Sequence, residues 1–384
     1  MTSRRIMFHA GAPRSPLSLP HRLVVIGLLL LTSILTMGAG GPFLLGSQPG
    51  DLPVFPEFLI AEQHARQLPA VSAPAILLGD STTGQILATV APHDARAMAS
   101  TTKIMTALLV LERANLSDAV TVPPEALIGG STMNLSAGEV LSVEQLLWGL
   151  LINSGNDAAL TLAIHLAGSE TGFVALMNER AAQLGMANTH FANPHGLDAP
   201  GHVSSAYDLW LVTQAALQYP LFRQIVATPS ITIAGHPLLN TNELLTTLPG
   251  ADGVKTGTTD LAGQCLVASV SDDAHRTVAV ILGSGDRFSD ARQLFEHSAT
   301  FWPSQPAPQP IGPTGWLRTS DGLPLHVVAA DPPTLNLAAW LWPQLRSQVV
   351  LNTTERTPGQ TVGTIRWYLG NRLLGEAPAV LVAY

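Results

Sequence analysis

The chain has 384 residues, of which 46% are hydrophobic and 12% are charged, and its formal net charge is −8 at neutral pH. This length favours two domains, and the hydrophobic content excludes a disordered chain. The net negative charge, without any run of basic residues, argues against nucleic acid as a partner, because phosphate binding depends on clustered Lys and Arg.

The first 46 residues predict export from the cytoplasm. Residues 1–22 contain four Arg and no acidic residue, and they precede the apolar run Leu23–Met37 and the small residues Gly38–Gly41. Such a pattern is typical of a secretory signal. Counted through Leu45, the apolar stretch is also long enough to be a membrane anchor. Both interpretations place the chain after residue 46 outside the cytoplasm, with membrane contact through this segment if it stays uncleaved.

Residues 47–302 predict an α/β layered domain built on an antiparallel sheet, with strands at both ends and helices between them. Ala75–Asp80 and Gly84–Val90 flank a Gly-containing turn and predict a hairpin. The spacing of apolar residues predicts the remaining helices and strands. Ser142 and Gln145 predict a capping box at the start of a helix. The predicted helices are Phe55–Gln67, one after Ser100 and Val143–Ile152, and the predicted strands are Cys265–Val270 and Thr277–Leu282.

The composition changes after Trp302. Five Pro residues lie within residues 303–313, which predict a stiff extended linker. Short β-like runs follow, and Gly370-Asn371 separates the last two as a predicted hairpin turn. We therefore expect residues 314–384 to form a small all-β domain, with strands at Leu325–Ala329, Gln348–Leu351, Gly363–Leu369 and Val380–Ala383.

Three short motifs carry the chemistry. They are Ser100-Thr-Thr-Lys103, then Ser154-Gly-Asn156 after 54 residues, and Lys255-Thr-Gly257 after a further 101. A Ser hydroxyl becomes a good nucleophile only when a base takes its proton, and Lys103 lies one helical turn from Ser100. A Lys can act as that base if burial or a second cation such as Lys255 lowers its pKa.

The second and third motifs offer groups that can bind a substrate and relay a proton. Ser154 can pass a proton to a departing amine, and Asn156 can hydrogen-bond a substrate amide. Lys255 and Thr256 suit a terminal carboxylate, and Gly257 lets a substrate backbone approach a strand edge. Taken singly, each motif is equally consistent with an ordinary helix start, helix end or turn. Their combination and order favour acyl transfer on a peptide that ends in a carboxylate.

The three motifs together resemble the active-site triplet of the penicillin-binding protein and serine β-lactamase superfamily. The resemblance extends over about residues 72–300 to the low-molecular-mass penicillin-binding proteins, serine D-Ala-D-Ala carboxypeptidases of peptidase family S11. The matching stretches outside the triplet are Ala99–Ala107, Gly130-Ser-Thr-Met133, Asn193-Pro-His-Gly-Leu197, Asn240-Thr-Asn242 and Asp252–Thr258.

This resemblance implies a β-lactamase/transpeptidase-like catalytic domain, peptidoglycan stem peptides as substrates and β-lactams as covalent inhibitors. It implies Ser100 as the acyl-enzyme nucleophile, Lys103 as its base and the backbone N–H groups of Ser100 and Thr258 as an oxyanion hole. Arg287 matches a family arginine near the substrate carboxylate, although the loop before it differs in length. The sequence departs from some carboxypeptidases at Thr258, where they carry His.

Other functions compete with this interpretation. A D,D-endopeptidase of the same fold remains open, and so does a non-catalytic cell-wall-binding or sensor protein. A class A β-lactamase needs a general-base Glu beyond the second motif, but no Glu occurs between Arg180 and Asn242. His190, His195 and His202 fit no common zinc spacing, so we expect neither a metal nor an organic cofactor. The single cysteine, Cys265, is predicted to be a core residue.

Overall fold

The computed structural model describes residues 68–272, 275–310, 316–318, 322, 324–353 and 357–383. The described α-helices are α1 Lys103–Arg113, α2 Val143–Leu151, α3 Asn156–Ala167, α4 Glu170–Gln183, α5 Ala206–Ala216, α6 Pro220–Val226, α7 Leu244–Thr247 and α8 Arg287–Phe301.

The first nine strands are β1 Ala75–Asp80, β2 Gln85–Val90, β3 Ala119–Thr121, β4 Val140–Ser142, β5 Ser230–Ile233, β6 His236–Leu239, β7 Ala251–Thr259, β8 Gly263–Ser271 and β9 Arg276–Ser284. Seven more follow: β10 Ser304–Pro306, β11 Trp316–Arg318, β12 Pro324–Ala329, β13 Thr334–Asn336, β14 Arg346–Leu351, β15 Thr361–Leu369 and β16 Arg372–Ala383.

The main sheet is antiparallel with the order β2-β1-β9-β8-β7, which makes β7 an edge strand. Side chains alternate between its faces, and both faces are covered. Leu77 and Val267 pack into the core shared with α1 to α6, whereas Ile76 and Leu266 pack into a second core with α8. This two-sided burial explains why the central strands are continuous apolar runs instead of alternating ones.

A second five-stranded antiparallel sheet follows, with the order β11-β12-β16-β15-β14. Its core surrounds Trp367, whose side chain is fully buried and whose indole N–H donates to the Pro308 carbonyl at 2.8 Å. Trp302 and Ala338 share a core with α8, so the two sheets are joined through packed apolar residues. The predicted fold class, an α/β layered domain followed by a small all-β domain, is confirmed, while the predicted domain boundaries stay predictions.

Most predicted elements are present. The hairpin of β1 and β2, the strands around Cys265 and Thr277, and the turn at Gly370-Asn371 are confirmed. The capping box is confirmed too, because the Ser142 side chain accepts from Gln145 N and the Gln145 side chain accepts from Ser142 N. Cys265 is a buried strand residue, as expected.

The predicted helix Phe55–Gln67 and the export segment 1–46 lie outside the described residues. Within the described ranges, no single helix is both long enough and apolar enough to span a bilayer. The bent pair of α3 and α4 meets the length and composition test only when the two helices are taken together.

Candidate active site

Ser100 lies in a tight 3₁₀ turn, Ala99–Thr102, that leads directly into α1. Ala99 has φ +48, a conformation that costs free energy for a residue with a Cβ. Two side chains stabilise the turn: the Thr101 hydroxyl donates to Met98 O at 2.6 Å and the Thr102 hydroxyl donates to Ala99 O at 2.8 Å. The turn thus holds a partly exposed Ser100 at a fixed position in front of the main sheet.

The Lys103 side chain is fully buried, and its Nζ has three oxygen neighbours. Nζ lies 2.7 Å from Asn156 Oδ1 and 2.5 Å from the His195 carbonyl, both of which can only accept a hydrogen bond. The third neighbour is Ser100 Oγ at 3.0 Å. In a neutral amine the two N–H groups are taken by the two acceptors, so the lone pair faces Ser100 Oγ. This geometry suits a base that removes the Ser100 proton.

The segment Asn193–Leu197 presents the His195 carbonyl to Lys103. Asn193 Oδ1 accepts from Gly196 N at 2.7 Å, and its Nδ2 donates to Leu197 O at 2.8 Å. Gly196 has φ +91, and a Cβ there would lie 2.1 Å from Ala99 O. The glycine is therefore required for this segment to pass against the nucleophile turn.

The second motif forms the opposite wall. Ser154 is buried with φ +58 in the short connection between α2 and α3. Asn156 starts α3, where its Oδ1 accepts from Lys103 and its Nδ2 donates to Gly129 O at 2.8 Å. Asn156 thus orients the lysine, and the predicted contact with a substrate amide stays a prediction.

Sequence reasoning did not identify Asp157. This buried carboxylate accepts from Met133 N at 2.8 Å and Leu135 N at 3.1 Å, so it ties α3 to the segment that contains the Gly130-Ser-Thr-Met133 match. The only signal in the sequence was its position directly after Ser-Gly-Asn. A buried Asp in the first turn of a helix needs backbone N–H partners, so this position indicates a structural role for the carboxylate.

The third motif lies in the edge strand β7, which passes close to the nucleophile turn. A Cβ on Gly257 would lie 2.7 Å from Ser100 N and 2.9 Å from Ala99 Cβ, so only glycine allows this approach. Thr256 Oγ1 lies 2.5 Å from the Thr241 hydroxyl, and the buried Lys255 Nζ donates to Thr256 O at 3.0 Å.

Arg287 begins α8 and reaches back to the same strand. Its Nη1 donates to Gly257 O at 2.9 Å and to Thr258 Oγ1 at 2.7 Å. Arg287 Nε is buried without a hydrogen-bond partner among the described residues. The structure therefore brings Lys103 to Ser100 and Asn156, and Gly257 to Ser100, while Arg287 reaches Gly257 and Thr258. Lys255 and Thr256 precede Gly257 in β7. Ser154 lies two residues before Asn156, and among the described residues no hydrogen bond joins its side chain to Ser100 or Lys103.

Burial and mutual repulsion shift the pKa values of the cations in the site. Burial, followed by the charge of Lys255, holds the pKa of Lys103 well below its usual range. Burial and then the charge of Arg287 lower the pKa of Lys255 to about 7. These two residues are the only lysines in the chain. Both burial and the charge of Lys255 therefore favour the neutral form of the Lys103 amine beside Ser100.

Two histidines beside the site are held neutral. Burial and then the charge of Lys103 lower the pKa of His195 to about 3, and burial lowers the pKa of His202 to about 4. His202 Nδ1 accepts from Ala192 N at 2.9 Å, so its Nε2–H donates to Thr102 Oγ1 at 2.8 Å. Because both ring nitrogens are hydrogen-bonded to protein groups, His202 stabilises the nucleophile turn through its contact with Thr102.

No group of three or more His, Cys, Asp or Glu in the described ranges is arranged to hold a metal ion. The expectation that the protein needs no metal or organic cofactor stays a prediction.

The fold and the site are those of the penicillin-binding protein class of serine peptidases, and comparisons with known proteins agree with this class. The chain resembles penicillin-binding protein 6B from Escherichia coli with a TM-score of 0.63 and 33% identity, covering 82% of this chain and 97% of that one. The family model described as D-alanyl-D-alanine carboxypeptidase, peptidase S11, matches residues 62–286. The chain belongs to the peptidase S11 family, which confirms the resemblance seen in the sequence.

Two curated relatives show how far the similarity extends. D-alanyl-D-alanine carboxypeptidase DacD from Salmonella typhimurium is 40% identical over 253 residues, which are 62% of this chain and 65% of the relative. The chain thus spans less than two thirds of that relative. DacC from Escherichia coli, also a D-alanyl-D-alanine carboxypeptidase, is 32% identical over 371 residues, which are 90% of each chain.

Proposed function

We propose that this chain is an exported serine D-Ala-D-Ala carboxypeptidase, which removes the terminal D-Ala from peptidoglycan stem pentapeptides through an acyl-enzyme on Ser100. The observation that carries the proposal is the arrangement around Lys103 Nζ. Its two acceptors leave the third direction for Ser100 Oγ at 3.0 Å. Membership of the S11 family and the names of the relatives support the substrate class.

Acylation starts when neutral Lys103 accepts the Ser100 proton and Oγ bonds to the carbonyl carbon of the penultimate D-Ala. The carbonyl oxygen becomes an oxyanion, which the backbone N–H groups of Ser100 and Thr258 stabilise. The C–N bond then breaks, and the departing D-Ala amine receives the proton from Lys103 by way of Ser154. Water enters, Lys103 again acts as the base, and hydrolysis of the ester releases the tetrapeptide and restores Ser100.

The terminal carboxylate lies at the β7 end of the cleft in this proposal. Lys255, Thr256 and Arg287 provide donors and positive charge there in this proposal. A penicillin carries an amide carbonyl and a carboxylate in a similar arrangement, so it acylates the same Ser100 and inhibits the enzyme.

The test is release of D-alanine from a soluble stem pentapeptide by the full chain. We expect one D-alanine per pentapeptide, and none from the Ser100→Ala variant. Cleavage of cross-linked muropeptides in preference to the pentapeptide would instead support the D,D-endopeptidase alternative. Rapid turnover of penicillin would support a β-lactamase, and absence of all three reactions would support a binding or sensor protein.

A further inference from the structure

The Asp198 carboxylate joins two segments that both contact the nucleophile turn. Its Oδ1 accepts from the Thr259 hydroxyl at 2.6 Å, and its Oδ2 accepts from Leu261 N at 3.1 Å. These donors lie 61 and 63 positions further along the chain, at the end of β7 and in the turn that follows it. In the described ranges, no other hydrogen bond links Asn193–Asp198 to β7 or to this turn. Asp198 belongs to none of the three motifs.

Each of the two segments carries a group that the proposed acylation uses. Asp198 lies three residues after His195, whose carbonyl accepts from Lys103 Nζ. Thr259 directly follows Thr258, whose backbone N–H is a proposed oxyanion donor. The base and the oxyanion hole must act on the same substrate carbonyl, so their relative position has to be exact to a fraction of the length of a bond. A link between the two segments therefore bears directly on the reaction.

The turn after β7 is mostly exposed to solvent. β7 is an edge strand, so β8 is its only partner in the sheet, and the contacts of Arg287 end at Thr258. Beyond that point Asp260 and Leu261 are exposed, and the Leu261 side chain keeps 75% of its accessible surface. A turn with so little buried apolar surface opens at a low cost in free energy. A carboxylate makes stronger hydrogen bonds than a neutral acceptor, so Asp198 is well suited to hold it.

We propose that Asp198 is a positioning residue for acylation. Its carboxylate fixes the end of β7 against the segment that carries His195, and thereby fixes the Thr258 N–H in front of Ser100. Without this link the N–H moves relative to the oxyanion that forms on the substrate. The transition state then loses more stabilisation than the bound substrate does. The inference rests on the proposed function, because it concerns the oxyanion hole that this function requires.

The test separates stabilisation of the transition state from binding of the substrate. A boronic acid analogue of the stem peptide, with boron in place of the scissile carbonyl carbon, imitates the tetrahedral intermediate. The Ser100 oxygen adds to boron, its proton passes to Lys103, and one boronate oxygen occupies the oxyanion position. We expect Asp198→Ala to lower kcat/KM for D-alanine release about tenfold and to weaken inhibition by the boronic acid by a similar factor. Binding of the pentapeptide to the Ser100→Ala variant should be unchanged when Asp198→Ala is added.

Three further variants locate the effect. Thr259→Val removes one donor at nearly constant shape, and it should reduce kcat/KM less in the Asp198→Ala background than in the wild type, because both changes break the same hydrogen bond. Asp198→Asn can accept from Leu261 N and donate to Thr259 Oγ1, so it should restore most of the activity that Asp198→Ala loses. Asp260→Ala removes an exposed carboxylate of the same turn that makes no hydrogen bond or ion pair to any described residue, and it should keep the wild-type kcat/KM. Urea denaturation reports whether each variant is folded, and Thr259→Val decides the question if Asp198→Ala is not.

The outcomes separate this inference from the proposed function. A wild-type kcat/KM in Asp198→Ala overturns the inference, and so does an equal loss in Asp260→Ala. Pentapeptide binding that weakens as much as inhibition by the boronic acid also overturns it, because the residue then affects substrate and transition state alike. Each of these results leaves the carboxypeptidase standing, because the wild type still releases D-alanine. A wild type that releases none overturns both.

Discussion

Lys255 should titrate near neutral pH, and this shift should be visible in the stability of the protein. Its pKa is lowered from 10.5 to about 7, first by burial and then by Arg287. Unfolding restores the ordinary value, so the unfolded chain binds more protons between pH 7 and 10.5 and stability rises with pH. The native state is penalised by about 4 kcal/mol at pH 7 and about 2 kcal/mol at pH 9, with 1.36 kcal/mol for each pH unit.

The assay is a urea denaturation series between pH 7 and 9. We expect the wild type to gain about 2 kcal/mol over this range from Lys255, with Lys103 acting in the same direction. Lys255→Met should lose the Lys255 part of the gain. Above pH 9 the buried Cys265 thiol, whose pKa burial raises to about 11, acts in the opposite direction, so the range ends there.

Lysine-selective ¹³C labelling provides an independent measurement. The chain contains only two lysines, so the Cε spectrum contains two signals, and Lys255→Met assigns them. A midpoint near 7 for Lys255 is expected. Two midpoints near 10.5, together with equal stability slopes in wild type and Lys255→Met, would show that burial and repulsion do not lower the pKa of Lys255.

Three further predictions concern a glycine of the site, a helix cap and a buried His–Asp pair. Gly257→Ala should slow acylation by a fluorescent penicillin strongly, because its Cβ would lie 2.7 Å from Ser100 N; Gly285→Ala, whose Cβ meets Ser72 Oγ at an ordinary 3.5 Å, should not. Ser142→Ala removes the capping box of α2 and should lower the free energy of unfolding by about 1 kcal/mol, measured in urea. Burial alone would lower the pKa of His275, but the hydrogen bond and charge of Asp80 outweigh burial and raise it. The pair therefore stabilises the protein fully below pH 6.5, and this contribution is lost as the pH rises through the raised pKa. His275→Gln should remove that loss, and an unchanged difference between wild type and variant across this range would contradict the assignment.

The sequence was sufficient for those parts of the fold that depend on local pattern. The β1–β2 hairpin, the capping box at Ser142 and the turn at Gly370-Asn371 each arise from residues that are neighbours in the chain, so their physical causes are visible in a short window. The strands around Cys265 and Thr277 were recognisable because a sheet covered on both faces selects unbroken apolar runs.

The contacts that shape the site were not recognisable in the same way. The His195 carbonyl contacts Lys103 although the two residues are 92 positions apart, and a backbone acceptor leaves no side-chain signal. His202 was weighed only as a possible metal ligand, whereas its contact with Thr102 spans 100 positions. Asp157 accepts from two backbone N–H groups that lie 24 and 22 positions earlier in the chain. Such roles depend on contacts between residues that are far apart in the chain, and sequence patterns and spacing do not specify these contacts.

The proposed function requires an ester between Ser100 and the substrate. The most direct measurement is to mix the full chain with a stem pentapeptide, quench the reaction in acid within the first turnovers and map the peptides by mass spectrometry. We expect the peptide containing Ser100 to gain the mass of the tetrapeptide acyl group, with one D-alanine released for each acyl group, and we expect Ser100→Ala to gain nothing. D-alanine release by the Ser100→Ala variant, or an acyl group found on another residue, would contradict it.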